Sequence, residues 1–228
     1  MAGTYGLGQW QLSRAAYKER LQAELQARST LEPLGNEGLR TLTDPGQAVH
    51  RPAVVRGRWL PQHQVFLDNR PQNGRVGWVV VAPFELAGEG PGPAPVLLVQ
   101  RGWAPRDFLD RTQLPPVATP PGDQSVQGRL ALGPSKLYEM GPTDSGRIRQ
   151  NLDIQAFSRE TGLNLLPYTL LQTGAPSEGL SRDWPPPAFG VDKHYGYAFQ
   201  WFALSALTAL LYVGYLYRGR AARPQSAA

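Results

Sequence analysis

A chain of 228 residues is long enough for one ordinary core and an appendage. Its formal charge of +5 would suit nucleic acid if it were gathered in one place. However, Arg218, Arg220 and Arg223 stand at the far C-terminus, the rest is close to neutral and no basic run alternates with aromatics, which excludes a nucleic-acid partner. The lack of cysteine excludes disulfide scaffolds, thiolate zinc sites, cysteine nucleophiles and iron–sulfur clusters.

In chain order, the first predicted element is a helix from Trp10 to Arg28, whose Trp10, Tyr17, Leu21 and Leu25 fall near one face and are expected to pack. Gly, Pro and Asn then predict a loop from Leu31 to Gln47. The period changes to two in "HRPAVVRGRWL" (His50–Leu60) and "QVFLDN" (Gln64–Asn69), which the short "PQH" predicts to be a hairpin. Two further strands, "GWVVVAPFEL" (Gly77–Leu86) and "PVLLVQRGW" (Pro95–Trp103), flank a Gly/Pro-rich loop, and "SVQGRLAL" (Ser125–Leu132) follows a Pro-rich one. "DIQAFSRET" predicts a short helix capped by Asp153, and "LPYTLLQT" (Leu166–Thr173) a last strand. The expected fold is mainly β (α+β): a small antiparallel barrel or sandwich with an N-terminal helix and a C-terminal transmembrane helix.

That last helix is predicted because His194 to Tyr217 contains no Asp, Glu, Lys or Arg, enough at about 1.5 Å per residue to cross about 30 Å of hydrocarbon. Tyr195, Tyr197 and Trp201 crowd one end and Tyr212, Tyr215 and Tyr217 the other, as an aromatic belt requires. The three trailing arginines place the tail, residues 218–228, in the cytoplasm and the body, residues 10–192, outside, with the span over 193–217. Export needs a signal, yet the first thirty residues hold no apolar h-region. Residues 1–9 are therefore read as the stub of a missing first transmembrane span.

No catalytic constellation emerges, and the chain is not expected to be an enzyme. "GEGPG" (Gly88–Gly92) has the glycines of a phosphate loop, but its prolines remove donors and no Lys-Ser/Thr follows. His50 and His63 lack a companion ligand motif, and Asp107 and Asp110 are better explained by ion pairing with Arg106 and Arg111 than by acid/base work. His194 differs in its setting. On a helix it shares a face with Tyr197 and Trp201, an imidazole with two aromatic walls, fit for a flat ring whose iron the imidazole would ligate. A plain interfacial histidine between water and headgroups accounts for the same residue.

Five segments in order, "LGQWQLSRAAYK" (Leu7–Lys18), "RPAVVRGRW" (Arg51–Trp59), "GWVVVAPFEL", "LLVQRGWAPRD" (Leu97–Asp107) and "KHYGYAFQWFAL" (Lys193–Leu204), resemble the surfeit locus protein 1 family of cytochrome c oxidase assembly factors. The R-G-W and H-x-x-Y-A-x-x-W-F elements are the specific ones. The resemblance implies two spans around an exported domain, in a bacterial cytoplasmic membrane or the mitochondrial inner membrane. It also implies handling of haem a during maturation of oxidase subunit I, with other assembly factors as partners and the lipid bilayer as support. His194 is then the implied iron ligand, with Tyr197 and Trp201 flanking the ring. Arg101 is a candidate for a haem propionate, or holds a strand-to-loop corner with Gly102 and Trp103. The chain departs from the family in lacking the first span, in Lys193 where Asn is usual, and in Gln100 before Arg101. The alternative is a cofactor-free scaffold that stabilises an assembly intermediate through its helix, where Ser205 and Ala209 make a small-xxx-small pair.

Overall fold

The computed structural model describes residues 2–42, 44–88, 92–107, 109–110, 112–137, 146–185 and 190–221. The chain divides into two compact units, Leu25–Trp184 and the pair of segments Met1–Glu24 with Pro185–Ala228.

Unit Leu25–Trp184 is built on seven strands: β1 (Pro52–Trp59), β2 (Val65–Gln72), β3 (Arg75–Leu86), β4 (Val96–Pro105), β5 (Gln124–Ala131), β6 (Ile148–Arg149) and β7 (Leu165–Gln172). Their order is β1-β5-β7-β4-β3-β2-β6, and an additional β1–β3 pairing closes the first five into a barrel. The barrel is mostly antiparallel, but β4 and β7 run parallel, as do β2 and β6 outside it. Alternation along β1 buries Ala53, Val55 and Trp59 and turns Val54, Arg56 and Arg58 outward. The inward residues join Phe84, Leu97, Val99, Val126, Tyr168 and Leu170 in one core. Tyr168 donates from its hydroxyl to the Leu39 carbonyl at 2.6 Å, and burial pushes its pKa up to about 12.

Closure depends on Gly57, which faces Gln124 of β5 and Leu86 of β3, the point where β1 passes from one neighbour to the other. A Cβ there would stand 1.9 Å from the Glu85 carbonyl oxygen, so only glycine lets the two backbones meet.

The expected hairpin of the first two strands does not form. Both β1 and β2 pair with β3 instead, β1 with its C-terminal end and β2 with its N-terminal half. At 12 residues β3 is long enough to serve both, and the 3₁₀ turn Pro61–His63 carries the chain from one partner to the other. The tight hairpin is β2–β3, turned by Asn73 and Gly74, both at positive φ. The expected loop from Leu31 to Gln47 contains two short helices, α2 (Asn36–Thr41) and α3 (Pro45–Ala48). Asp44 caps α3 by accepting from the Gly46 amide, with Pro45 at the first turn. Helix α4 (Ile154–Thr161) begins at its Asp153 cap, as expected, and covers Val65, Leu67, Val81 and Leu98 through Phe157.

The other unit holds most of α1 (Ala2–Ser29) and all of α5 (Val191–Ala221). The expected packing face of α1 is not the one used: Trp10, Tyr17 and Leu21 are exposed. The helices instead run antiparallel along Gly8 and Gln11, with Tyr5 against Phe202 at 5.6 Å between ring centroids and Gln11 beside His194. Gly8 lies under the Phe202 ring, where a Cβ would come within 2.6 Å of it. Small residues prevail in this seam because the bulky side chains of α5 need the room. Of the basic tail, residues 218–221 continue α5 and the rest lie outside the described residues.

Two predictions test these contacts. Gly57→Val should lower the midpoint of chemical denaturation by an amount equal to roughly 3 kcal/mol. His50, with φ at 69°, has its pKa lowered by burial and by the nearby Arg129 and Arg28. A guanidinium cannot accept, so the 3.4 Å contact with Arg129 Nη1 makes Nδ1 the acceptor of a neutral ring. Above about pH 6.5 the histidine is neutral folded and unfolded; below it the unfolded chain takes the proton first, so stability falls with falling pH. His50→Asn, which tolerates the left-handed backbone, should flatten melting temperature against pH between about 7 and 5.5.

Candidate functional site

Helix α5 is long and apolar enough to cross a membrane over Val191–Arg218, and His194 stands in its first turn. Its imidazole is half-buried, and Nδ1 lies 2.7 Å from Gln11 Oε1 on α1. Among the described residues Nε2 has no hydrogen-bond partner. One residue on, the Tyr195 hydroxyl donates to Glu19 Oε1 at 2.8 Å, so two polar links tie this end of α5 to α1. Tyr197 is exposed and Trp201 half-buried, both on the helix face of His194. Ser205 and Ala209 continue the half-buried line that begins at His194 and passes the buried Ala198. Arg14 and Lys18 bring positive charge to the α1 side of the imidazole, and among the described residues neither is in an ion pair. Lys193 is exposed.

Arg101 lies elsewhere, in the barrel unit. The register of β3 and β4 passes from Val80↔Gly102 to Val81↔Gln100, so Arg101 is the extra residue of a β-bulge. The bulge turns its side chain fully inward, stacked on Trp59 with the guanidinium carbon 4.7 Å from the ring centroid. Nη1 donates to Gln64 Oε1 and Thr119 Oγ1, and Nη2 to the Ala118 carbonyl and Glu178 Oε2, all within 3.0 Å. Glu178 also takes Arg182 at 3.4 Å and holds a left-handed φ of 58° to do so. That conformation costs about 1–2 kcal/mol, which the ion pairs offset. Burial lowers the Arg101 pKa, Glu178 raises it in return, and the guanidinium stays charged.

The neighbours of Arg101 complete a corner. Gly102, at φ 157°, leaves room for the loop that follows β7, since a Cβ would stand 2.7 Å from the Ser181 carbonyl oxygen. Trp103 exchanges backbone hydrogen bonds with Ser181 and donates from Nε1 to the Arg70 carbonyl at 2.7 Å. Gln100 bonds Thr169 of β7 at 3.0 Å. Of the two roles expected for Arg101, these partners fill the corner. The structure brings His194, Tyr197 and Trp201 onto one helix face, and it adds Gln11, Arg14 and Lys18, which the sequence pattern did not single out.

The remaining acidic candidates serve their own loops. Asp107 accepts from the Leu109 and Asp110 amides, and Asp110 from Thr112, while Arg106 pairs with Asp68 at 3.2 Å. Asp107 and Asp110 thus hold turns of their own loop, and Arg111, one of the ion-pair partners expected of them, lies outside the described residues, as does part of "GEGPG".

The model of the SURF1 family matches residues 1–206, a stretch that holds both the barrel and His194. The chain belongs to the SURF1 family. A SURF1-like protein of Drosophila melanogaster is 27% identical over 92% of this chain and 73% of its own length. Surfeit locus protein 1 of Rattus norvegicus is 26% identical over 92% of the chain and 71% of its own length. Cytochrome oxidase assembly protein SHY1 of Saccharomyces cerevisiae is 24% identical over 74% and 43%. Within the SURF1 family match, the R-G-W element now has a physical role: bulge, close approach and anchored indole.

Arg101→Lys keeps the charge but not the fork. It should cost roughly 2–4 kcal/mol of global stability and speed hydrogen exchange at the Ser181 and Trp103 amides. If Arg101 instead acted mainly on a ligand's carboxylate, stability would hold and only ligand affinity would fall.

Proposed function

We propose that this protein acts in cytochrome oxidase assembly as a membrane-anchored carrier of haem a, which it holds through His194 and passes to subunit I of the oxidase. Membership of the SURF1 family and the name of the yeast relative support the assembly role. The observation that carries the haem reading is the His194 imidazole, engaged at Nδ1 by Gln11 and without a partner at Nε2, in the first turn of an apolar helix. The residues fit the group: a neutral imidazole is a ready ligand for haem iron, Tyr197 and Trp201 offer aromatic surface, and the apolar helix admits a lipid-soluble ring. Arg14 and Lys18, uncommitted to ion pairs among the described residues, suit the propionates better than Arg101, whose Nη groups are already engaged. The reading places the barrel outside the membrane as the docking body for subunit I and other assembly factors, with the C-terminus in the cytoplasm. It asks for no bond-making chemistry, and the protein is an assembly factor rather than an enzyme.

The second reading, a cofactor-free scaffold, is favoured by the exposed stripe Leu7, Trp10, Tyr17 and Leu21 on α1, apolar surface free to meet another helix.

Protein purified in detergent from cells that make haem a should carry a visible haem spectrum, and His194→Ala should lose it. Colourless wild type that still co-purifies with oxidase would sink the carrier and leave the scaffold. Arg14→Gln with Lys18→Gln should weaken haem retention without removing it.

A further inference from the structure

We propose that Gln11 sets the tautomer of His194, holding the ring proton on Nδ1 so that Nε2 is left as the ligand nitrogen. The proposal deepens the haem reading and rests on it only for the identity of the iron.

Two facts carry the argument. The first is the 2.7 Å contact between Nδ1 and Gln11 Oε1, an oxygen that accepts and cannot donate. A neutral imidazole has one N–H, so a carbonyl partner at Nδ1 draws the proton there and leaves the lone pair on Nε2. Free histidine prefers the opposite tautomer, so without this contact the proton would rest more often on the nitrogen that has to bind metal. A short bond to Nδ1–H also raises the basicity of Nε2 and fixes the plane of the ring, as the outer partners of metal-ligating histidines do elsewhere.

The second fact is that the partner is held in place. Gln11 belongs to α1, 183 positions away in the chain from His194, and three other links hold the helices together. Tyr5 packs on Phe202, Gly8 lies under the same ring, and Tyr195 donates to Glu19 about two turns further along α1. They fix both the level and the rotation of α1, so that its amide meets this imidazole. Gln11 does not touch the iron in this arrangement; it is a positioning residue.

The test is made first without haem. The 228-residue chain labelled with ¹⁵N-histidine, in nanodiscs of phosphatidylcholine and phosphatidylglycerol, has three histidines to assign. Long-range ¹H–¹⁵N spectra distinguish the tautomers directly. Wild-type His194 should be protonated at Nδ1, and Gln11→Leu should move it to the Nε2–H form or to a mixture, with the His50 and His63 signals unchanged as a check on the fold. Gln11→Glu, which keeps an acceptor, should retain the wild-type tautomer. Titration with ferric haem should then show about 10-fold weaker binding for Gln11→Leu and little loss for Gln11→Glu. An Nε2–H ring in the wild type, as would follow if the amide donated instead, overturns the proposal, as does an unchanged tautomer in Gln11→Leu. An Nδ1–H ring in a wild type that takes up no haem supports the assignment and overturns the carrier reading alone.

Discussion

The barrel exists because two backbones can touch at Gly57. Closing a five-stranded sheet demands that one strand change neighbours within its own length, and β1 does so at this residue, bonded to β5 before it and to β3 after it. Everything inside follows from that closure. Trp59 and Phe84, 4.7 Å apart between ring centroids, meet only because β1 and β3 are joined beyond Gly57, and Trp59 supplies the aromatic floor on which the Arg101 guanidinium rests.

A wholly buried arginine is costly to desolvate and stabilises nothing unless its donors are met. Here the bulge in β4 sends the side chain inward, and both Nη groups find acceptors from three separate loops, while the buried Nε has none among the described residues. The net energy of such a site is small, and its value is positional. It ties Gln64, Ala118, Thr119 and Glu178 to one point and fixes the loop through Leu180 and Ser181 against β4. Glu178 accepts a left-handed backbone to join it, a local cost that makes sense only when two cations wait for one carboxylate.

Much of the fold was legible because period-two burial needs no partner to be recognised. β3, β4, β5 and β7 follow the expected segments closely, and so does the Asp153 cap of α4. Pairing was not legible from alternation, which says which side is wet but not which strand is adjacent; the hairpin assigned to Pro61–His63 failed for that reason. The stronger signal was Asn73-Gly74, whose two positive φ values match a tight hairpin turn. Asp44-Pro45 likewise announces a helix start inside what composition alone marks as loop. On α1 the apolar stripe was visible and its use was not, since Trp10, Tyr17 and Leu21 are large and the seam with α5 took the small residues instead. Gln11 gave no signal at all: a glutamine in a helix is ordinary until a histidine from the other end of the chain is placed beside it.

That placement follows from where the two helices meet. Near an apolar span each polar group has to find a protein partner or remain in contact with water, because hydrocarbon offers none. A histidine and a tyrosine in the first turns of α5 would therefore be expensive on a lone helix. On a pair, Gln11 answers the imidazole and Glu19 answers the phenol, and each bond helps set the register for the other. The same economy leaves one nitrogen over. An imidazole has two, α1 takes one, and among the described residues Nε2 has no hydrogen-bond partner. The setting of the His194 ring is thus a property of two helices brought together, and a change anywhere in the seam from Tyr5 to Glu19 should be felt at that ring.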